Sequence, residues 1–173
     1  MKINILIAIV FACTVSVSSA QDNTSVDLAI REFRLGLPKS EICEIGAKYI
    51  RTGACEFHVK VKGEWLKISP IFDKNTSTMT ALLATFDKKY SFLPLYKGLI
   101  EKYGETENCK VNDYENAFGA KFKGAECIWY INGGSIFIKE PVGTKGGYIE
   151  MHSKEYNDEI KQRKKETDKN PGF

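Results

Sequence analysis

Cys43, Cys55, Cys109 and Cys127 are the residues of this chain whose type and spacing point most directly to chemistry. A metal site built from cysteine wants tight pairs such as C-x-x-C, and these four are spread too widely to supply one. Four thiols in an oxidising compartment form disulfides, in one of three connectivities. Cys43–Cys55 with Cys109–Cys127 is the favoured pairing, because each bond would staple a helix or its exit to the strand beside it. Closing loops of about 13 and 19 residues should contribute about 3 kcal/mol each.

Other reactive arrangements find little support. His58 stands between Glu56 and Lys60, and His152 follows Glu150 and Tyr148 in period two, so both read as surface histidines. A metal site joining them would need the two halves of the chain to meet. No G-x-S-x-G nucleophile turn is present. Gly143-Thr144-Lys145-Gly146-Gly147 lacks the spacing and following helix of a phosphate loop. No local pair of acids stands out for glycosidase work. The chain therefore reads as a non-enzyme with no cofactor, no metal and no catalytic residue. Of the large rings Trp65, Tyr90, Phe92, Tyr96, Trp129 and Tyr130, most should pack in the core, Trp129 on a face with Cys127 and Ile131. Trp65, beside a turn, is the best candidate for contact with a partner, followed by Tyr90 and Tyr96, since such rings dominate protein interfaces.

The compartment comes from the first 20 residues of the 173. Met1-Lys2 is followed by the apolar run Ile3 to Val17 and by Ser18-Ser19-Ala20, which predicts a signal peptide cleaved before Gln21. The run falls short of the roughly 20 residues that span a bilayer. Cys13 leaves with this leader. Val10-Phe11-Ala12-Cys13 also loosely resembles a lipobox, and lipid on Cys13 would anchor the chain instead. Removing Lys2 leaves 24 basic against 22 acidic residues, a balance that predicts no nucleic-acid partner. No later segment is apolar enough to span a membrane. Asn23-Thr24-Ser25 and Asn75-Thr76-Ser77 fit the glycosylation sequon, which matters only in a eukaryotic host.

The elements that must position these residues follow from periodicity. Ile30 to Leu37 reads as a strand ending at Gly36, and Pro38-Lys39-Ser40-Glu41 opens a helix. Ile42, Ile45 and Tyr49 mark its inner face, and Gly53 is its expected end. Phe57, Val59 and Val61 alternate with polar residues as in a half-buried strand. Lys62-Gly63 turns the chain into Trp65 to Ile71. Asp73 to Ser77 is a polar turn, and Thr78 to Phe86 suits a central strand. Ser91 should cap a second helix whose apolar positions run from Phe92 to Tyr103, ending at Gly104. Strands are expected at 117–123, 125–131 and 135–140, the last two joined by the hairpin signal Asn132-Gly133-Gly134. Tyr148 to His152 is the last strand. Residues 154–173 form a charged helix or tail, with six bases and five acids between Lys154 and Lys169.

Helix then strands, twice, with two cysteines in each half, indicates an α+β fold. Two helix-plus-antiparallel-strand units pack as one domain over 21–153, with tandem halves at 28–87 and 88–153. Gly36-Leu37-Pro38 followed by Ile42 and Gly46 resembles the helix entry of small bacterial envelope domains related to the outer-membrane assembly lipoprotein family, with leucine and proline where those carry methionine and threonine. Lys102-Tyr103-Gly104, Trp129 and the glycine hairpin into Ile136-Phe137-Ile138 resemble periplasmic proteins of the same type. The similar beta-lactamase inhibitory protein fold has tandem helix-plus-sheet repeats, each with a disulfide. The resemblance implies a protein-binding module with no catalytic residue. The expected function is that of an exported, periplasmic or secreted inhibitor, immunity protein or envelope-assembly accessory, whose partner is another protein. A binder of small ligands or cell-wall fragments is the alternative.

Overall fold

A computed structural model describes residues 28–87, 91–115, 118–143 and 146–169. Its centre is an eight-stranded sheet in the order β3-β4-β5-β6-β10-β9-β8-β7, in which every neighbouring pair is antiparallel. The first unit runs α1 (Lys39–Gly46), β3 (Ile50–Arg51), β4 (Phe57–Val61), β5 (Glu64–Phe72) and β6 (Met79–Phe86). The second runs α2 (Phe92–Tyr103), β7 (Cys109–Glu115), β8 (Lys121–Ile131), β9 (Gly134–Lys139) and β10 (Gly147–His152). Each unit is one helix followed by a four-stranded meander. The two last strands, β6 and β10, pair at the centre, so the second half of the sheet mirrors the first. The fold is α+β, with both disulfides formed as the spacing indicated, Cys43–Cys55 and Cys109–Cys127.

Period-two alternation decides which side is core. Phe57, Val59, Leu66, Ile68, Leu82, Ala84, Ile136, Ile138, Ile149 and Met151 all point to the helix side and are sealed from solvent. Ile42 of α1 and Leu95 and Leu99 of α2 close over them. Trp129 joins this core and donates its indole N–H to the Gly104 carbonyl at 2.8 Å. Two hairpins set the register. At Lys62-Gly63 and Asn132-Gly133 both central residues have positive φ (49° and 88°, 50° and 80°), the twist a two-residue turn needs between right-twisted strands.

Several elements differ from the sequence pattern. Ile30 to Leu37 is two two-residue strands, β1 (Ala29–Ile30) and β2 (Phe33–Arg34), because Arg31 adopts a left-handed φ of 51° and turns the chain. The first helix ends at Gly46, not Gly53. The Cys43–Cys55 bond and the pairing of β3 with β4 require the chain to reverse sooner. Ser91 does not cap α2; its hydroxyl donates to Glu64 Oε2 at 2.5 Å instead. Residues 109–115, where no strand was indicated, form the edge strand β7, and β8 is one continuous strand where two were expected. The charged C-terminal segment is the helix α3 (Lys154–Lys169).

Candidate functional site

The helices α1 and α2 cover one side of the sheet and leave the other largely bare. On the bare face one row of side chains crosses all eight strands: Ile50, His58, Lys67, Thr85, Tyr148, Lys139, Glu126 and Lys110, each directly opposite the next. On β4, β5, β6, β8, β9 and β10 these side chains alternate with a buried stripe on the other face. This gives the face a mixed character suited to recognition. A neighbouring row holds Ser69, Leu83, Glu150, Phe137 and Ile128. The rings of Phe137 and Tyr148 meet between the rows at 5.6 Å.

Its β7–β9 side is held by charge. Glu126 Oε1 accepts from Lys139 Nζ and from the Tyr114 hydroxyl, both at 2.7 Å, while Lys110 reaches the other carboxylate oxygen at 3.5 Å. Burial pushes the Glu126 carboxyl up, but the Lys139 and Tyr114 hydrogen bonds and the two ammonium charges outweigh it and hold it at about 2. The hydrogen bond to Glu126 raises Lys139 above its ordinary value. Neither group changes charge near neutral pH. Toward the first unit, Glu56 accepts from Lys67 at 2.9 Å and from Ser69 at 3.0 Å, which keeps its carboxyl low as well.

The two ends of the face are unlike. At the end where β8 turns into β9, α3 lies across it. Ala81, His152 and Ser135 share a row beneath the first turns of this helix. Ser135 donates to Asn157 Oδ1 at 3.2 Å, Asn157 Nδ2 donates to the Gly133 carbonyl at 3.2 Å, and the His152 and Tyr156 rings pack at 4.9 Å. Beyond Ile160 the helix residues 161–168 are exposed. The other end is open. Trp65 is 55 % exposed and Ile50 57 %, and they flank a cavity of about 420 Å³ whose other walls include Arg31, Lys48, His58 and Lys60. On the helix side a separate cleft of about 310 Å³ lies between α2, Ala29–Ile30 and the β4–β5 turn. Its lysines are engaged: Lys102 donates to the Ala29 carbonyl at 2.9 Å, and Lys62 pairs with Glu101.

Trp65 thus stands on the bare face. Tyr96 stands on the opposite side of the sheet, between Phe92 and Trp129, so the structure does not bring these two candidates together. Tyr90 lies outside the described residues. The four cysteines are all consumed in disulfides. His58 and His152 belong to β4 and β10, with β5 and β6 between them. Among the described residues no three histidine, cysteine or acidic side chains gather as metal ligands, and no helix is long and apolar enough to cross a membrane. Tyr130, counted among rings expected mostly in the core, is 71 % exposed. Strict alternation with Trp129 was the signal that places it outside. Arg31, Lys48 and Lys60 carried no signal, since only the fold gathers them.

The fold and site define a two-unit α+β scaffold that offers a bare antiparallel sheet face. No family model matches the chain, and neither a curated protein nor a solved structure matches it.

Proposed function

We propose that the protein is an exported protein-binding module, periplasmic or secreted after cleavage near Ala20, that engages another protein through the bare sheet face. The observation that carries this reading is the row from Ile50 to Lys110, an eight-strand platform with exposed Trp65 and Tyr130 near its two ends. Rings presented on rigid strands cost little entropy to immobilise, which is what a protein interface rewards. The two disulfides agree with an oxidising compartment. The tandem layout, with one disulfide in each unit, is the arrangement a scaffold resembling the beta-lactamase inhibitory protein fold would need. In this reading Glu126 and Lys139 serve the scaffold, each neutralising the other across β8 and β9. An inhibitor, an immunity protein or an envelope-assembly accessory would each fit this reading.

Affinity capture from extract of the host envelope tests this. The wild-type protein should retain one partner at near-stoichiometric yield, and Trp65→Glu with Tyr130→Glu should lose it while keeping the wild-type circular dichroism. Capture of no protein by the wild type, or equal capture by the double variant, would refute the reading.

A further inference from the structure

Three cations converge on the open end of the bare face from three separate parts of the chain. Arg31 comes from the β1–β2 turn, Lys48 from the exit of α1 and Lys60 from β4. No acidic residue is among the described residues that line their shared cavity. The carboxylate that acts on Arg31 and Lys48 from nearby is Glu32, and the Tyr49 hydroxyl donates to it at 2.6 Å. Three positive groups against one engaged carboxylate leave a net positive field in a concave place, which draws an anion. Trp65 and Ile50 add exposed apolar surface on the same walls.

The backbone adds a second, independent feature. β3 pairs only Ile50 with His58 and Arg51 with Phe57. The next pair outward is bonded through Thr52 N–H to the Glu56 carbonyl at 2.9 Å. Antiparallel ladders alternate bonded and non-bonded pairs, so His58 directs its N–H and C=O toward β3. Lys60, two residues on, directs its own N–H and C=O to the same edge, past the point where β3 has stopped. A strand edge with no partner among the described residues, beside a cavity, is a place where an extended chain adds a strand.

Building on the protein-binding role, we infer that this corner takes an extended acidic segment of the partner protein. The segment continues β3 along the edge of β4, sets carboxylates against Arg31, Lys48 and Lys60, and lays an apolar side chain on Trp65. A sulfated glycan or an anionic lipid surface would meet the charges but not the alternating donor and acceptor of Lys60. That mismatch favours a peptide backbone.

The test uses the purified protein and labelled peptides of about nine residues in which Glu alternates with Val, read by fluorescence anisotropy. The acidic peptide should bind. Lys48→Glu with Lys60→Glu should weaken it by about tenfold or more, and so should about 0.5 M salt, which screens such contacts. A peptide N-methylated on alternate residues should bind as weakly. Equal binding of a peptide with Lys in place of Glu, equal binding of the N-methylated peptide, or no binding of the acidic one would each overturn the inference. So would heparin or phosphatidylglycerol vesicles binding at this corner while the acidic peptide does not. Photo-crosslinkers placed at Trp65 and at Tyr130 in the host separate the two proposals. Protein adducts at Trp65 support this one, adducts at Tyr130 alone reject this corner and keep the binding face, and adducts at neither reject both.

Discussion

Glu126 on β8 and Lys139 on β9 stand directly opposite one another, their carboxylate and ammonium 2.7 Å apart, with the Tyr114 hydroxyl of β7 closing on the same oxygen. One carboxylate thereby ties the three strands at the β7 edge of the bare face. Side-chain exposures are 11 % for Glu126 and 27 % for Lys139, so removing Glu126 leaves Lys139 without its counter-charge, while removing Lys139 leaves Glu126 only the more distant, exposed Lys110.

Glu126 is held low, at about 2 against an ordinary 4.5, so its contribution to stability is present above pH 4.5 and lost as pH falls toward 2. Lys139 is raised, so its contribution persists below its ordinary 10.5 and fades only as pH rises above that. Glu126→Gln should cost about 1–2 kcal/mol at pH 7, discounted for the exposed Lys110 side. It should also flatten the acid limb of the stability curve between pH 4.5 and 2. Urea unfolding across that range measures both effects. An acid limb as steep in Glu126→Gln as in the wild type would assign it to other carboxylates.

Gly46 ends α1 against the ring of Phe57, and a Cβ there would stand 2.0 Å from Phe57 Cζ. Phe57 is 1 % exposed and has no free space to retreat into. Gly46→Ala should therefore destabilise by about 1–3 kcal/mol, although alanine favours helices. Pairing it with Phe57→Leu should recover part of the loss. A double-mutant cycle on unfolding free energies checks this, and strict additivity would contradict the clash.

The two disulfides sit in different units, Cys43–Cys55 beside β4 and Cys109–Cys127 across β7 and β8. Replacing either pair with alanine should cost about 3 kcal/mol, and the costs should nearly add. Alanine is the right probe because Cys55 and Cys127 are 8 % and 4 % exposed, where a serine hydroxyl would need a new partner. Thermal or urea unfolding of the single-bond variants measures each contribution.

Trp129 is 3 % exposed and Trp65 is 55 % exposed, so the two indoles should report separately. Acrylamide should quench most of the emission of Trp129→Phe, which retains only Trp65, and little of Trp65→Phe. Loss of native near-ultraviolet circular dichroism should accompany Trp129→Phe far more than Trp65→Phe, because only Trp129 is locked by packing and by its bond to Gly104. Equal quenching of both variants would place Trp65 under cover.

Much of this architecture was legible in the chain. Phe57, Val59 and Val61 announce β4 because the pleat sends alternate residues to opposite faces. Lys62-Gly63 and Asn132-Gly133 announce their turns because few residues tolerate two positive φ values in succession. Cys109–Glu115 escaped notice for an equally physical reason. As an edge strand it is exposed on five of its seven residues, so it carries no buried stripe to betray it. The early end of α1 escaped because residues 47–52 keep helix-compatible side chains, and only the pairing of Ile50 with His58 pulls them out. Tyr96 kept its helical face but turned it to Trp129, which no local pattern reveals.

Local spacing alone favoured one disulfide pairing of three and determined the α+β class and the tight hairpins, because each rests on residues within about 20 positions of one another. Tertiary structure alone decided that β6 lies beside β10, that one face stays bare, and that Arg31, Lys48 and Lys60 meet around Trp65. The division has a physical cause. Side-chain alternation is a property of the backbone at each residue, whereas strand adjacency is settled by which distant apolar faces can be buried together.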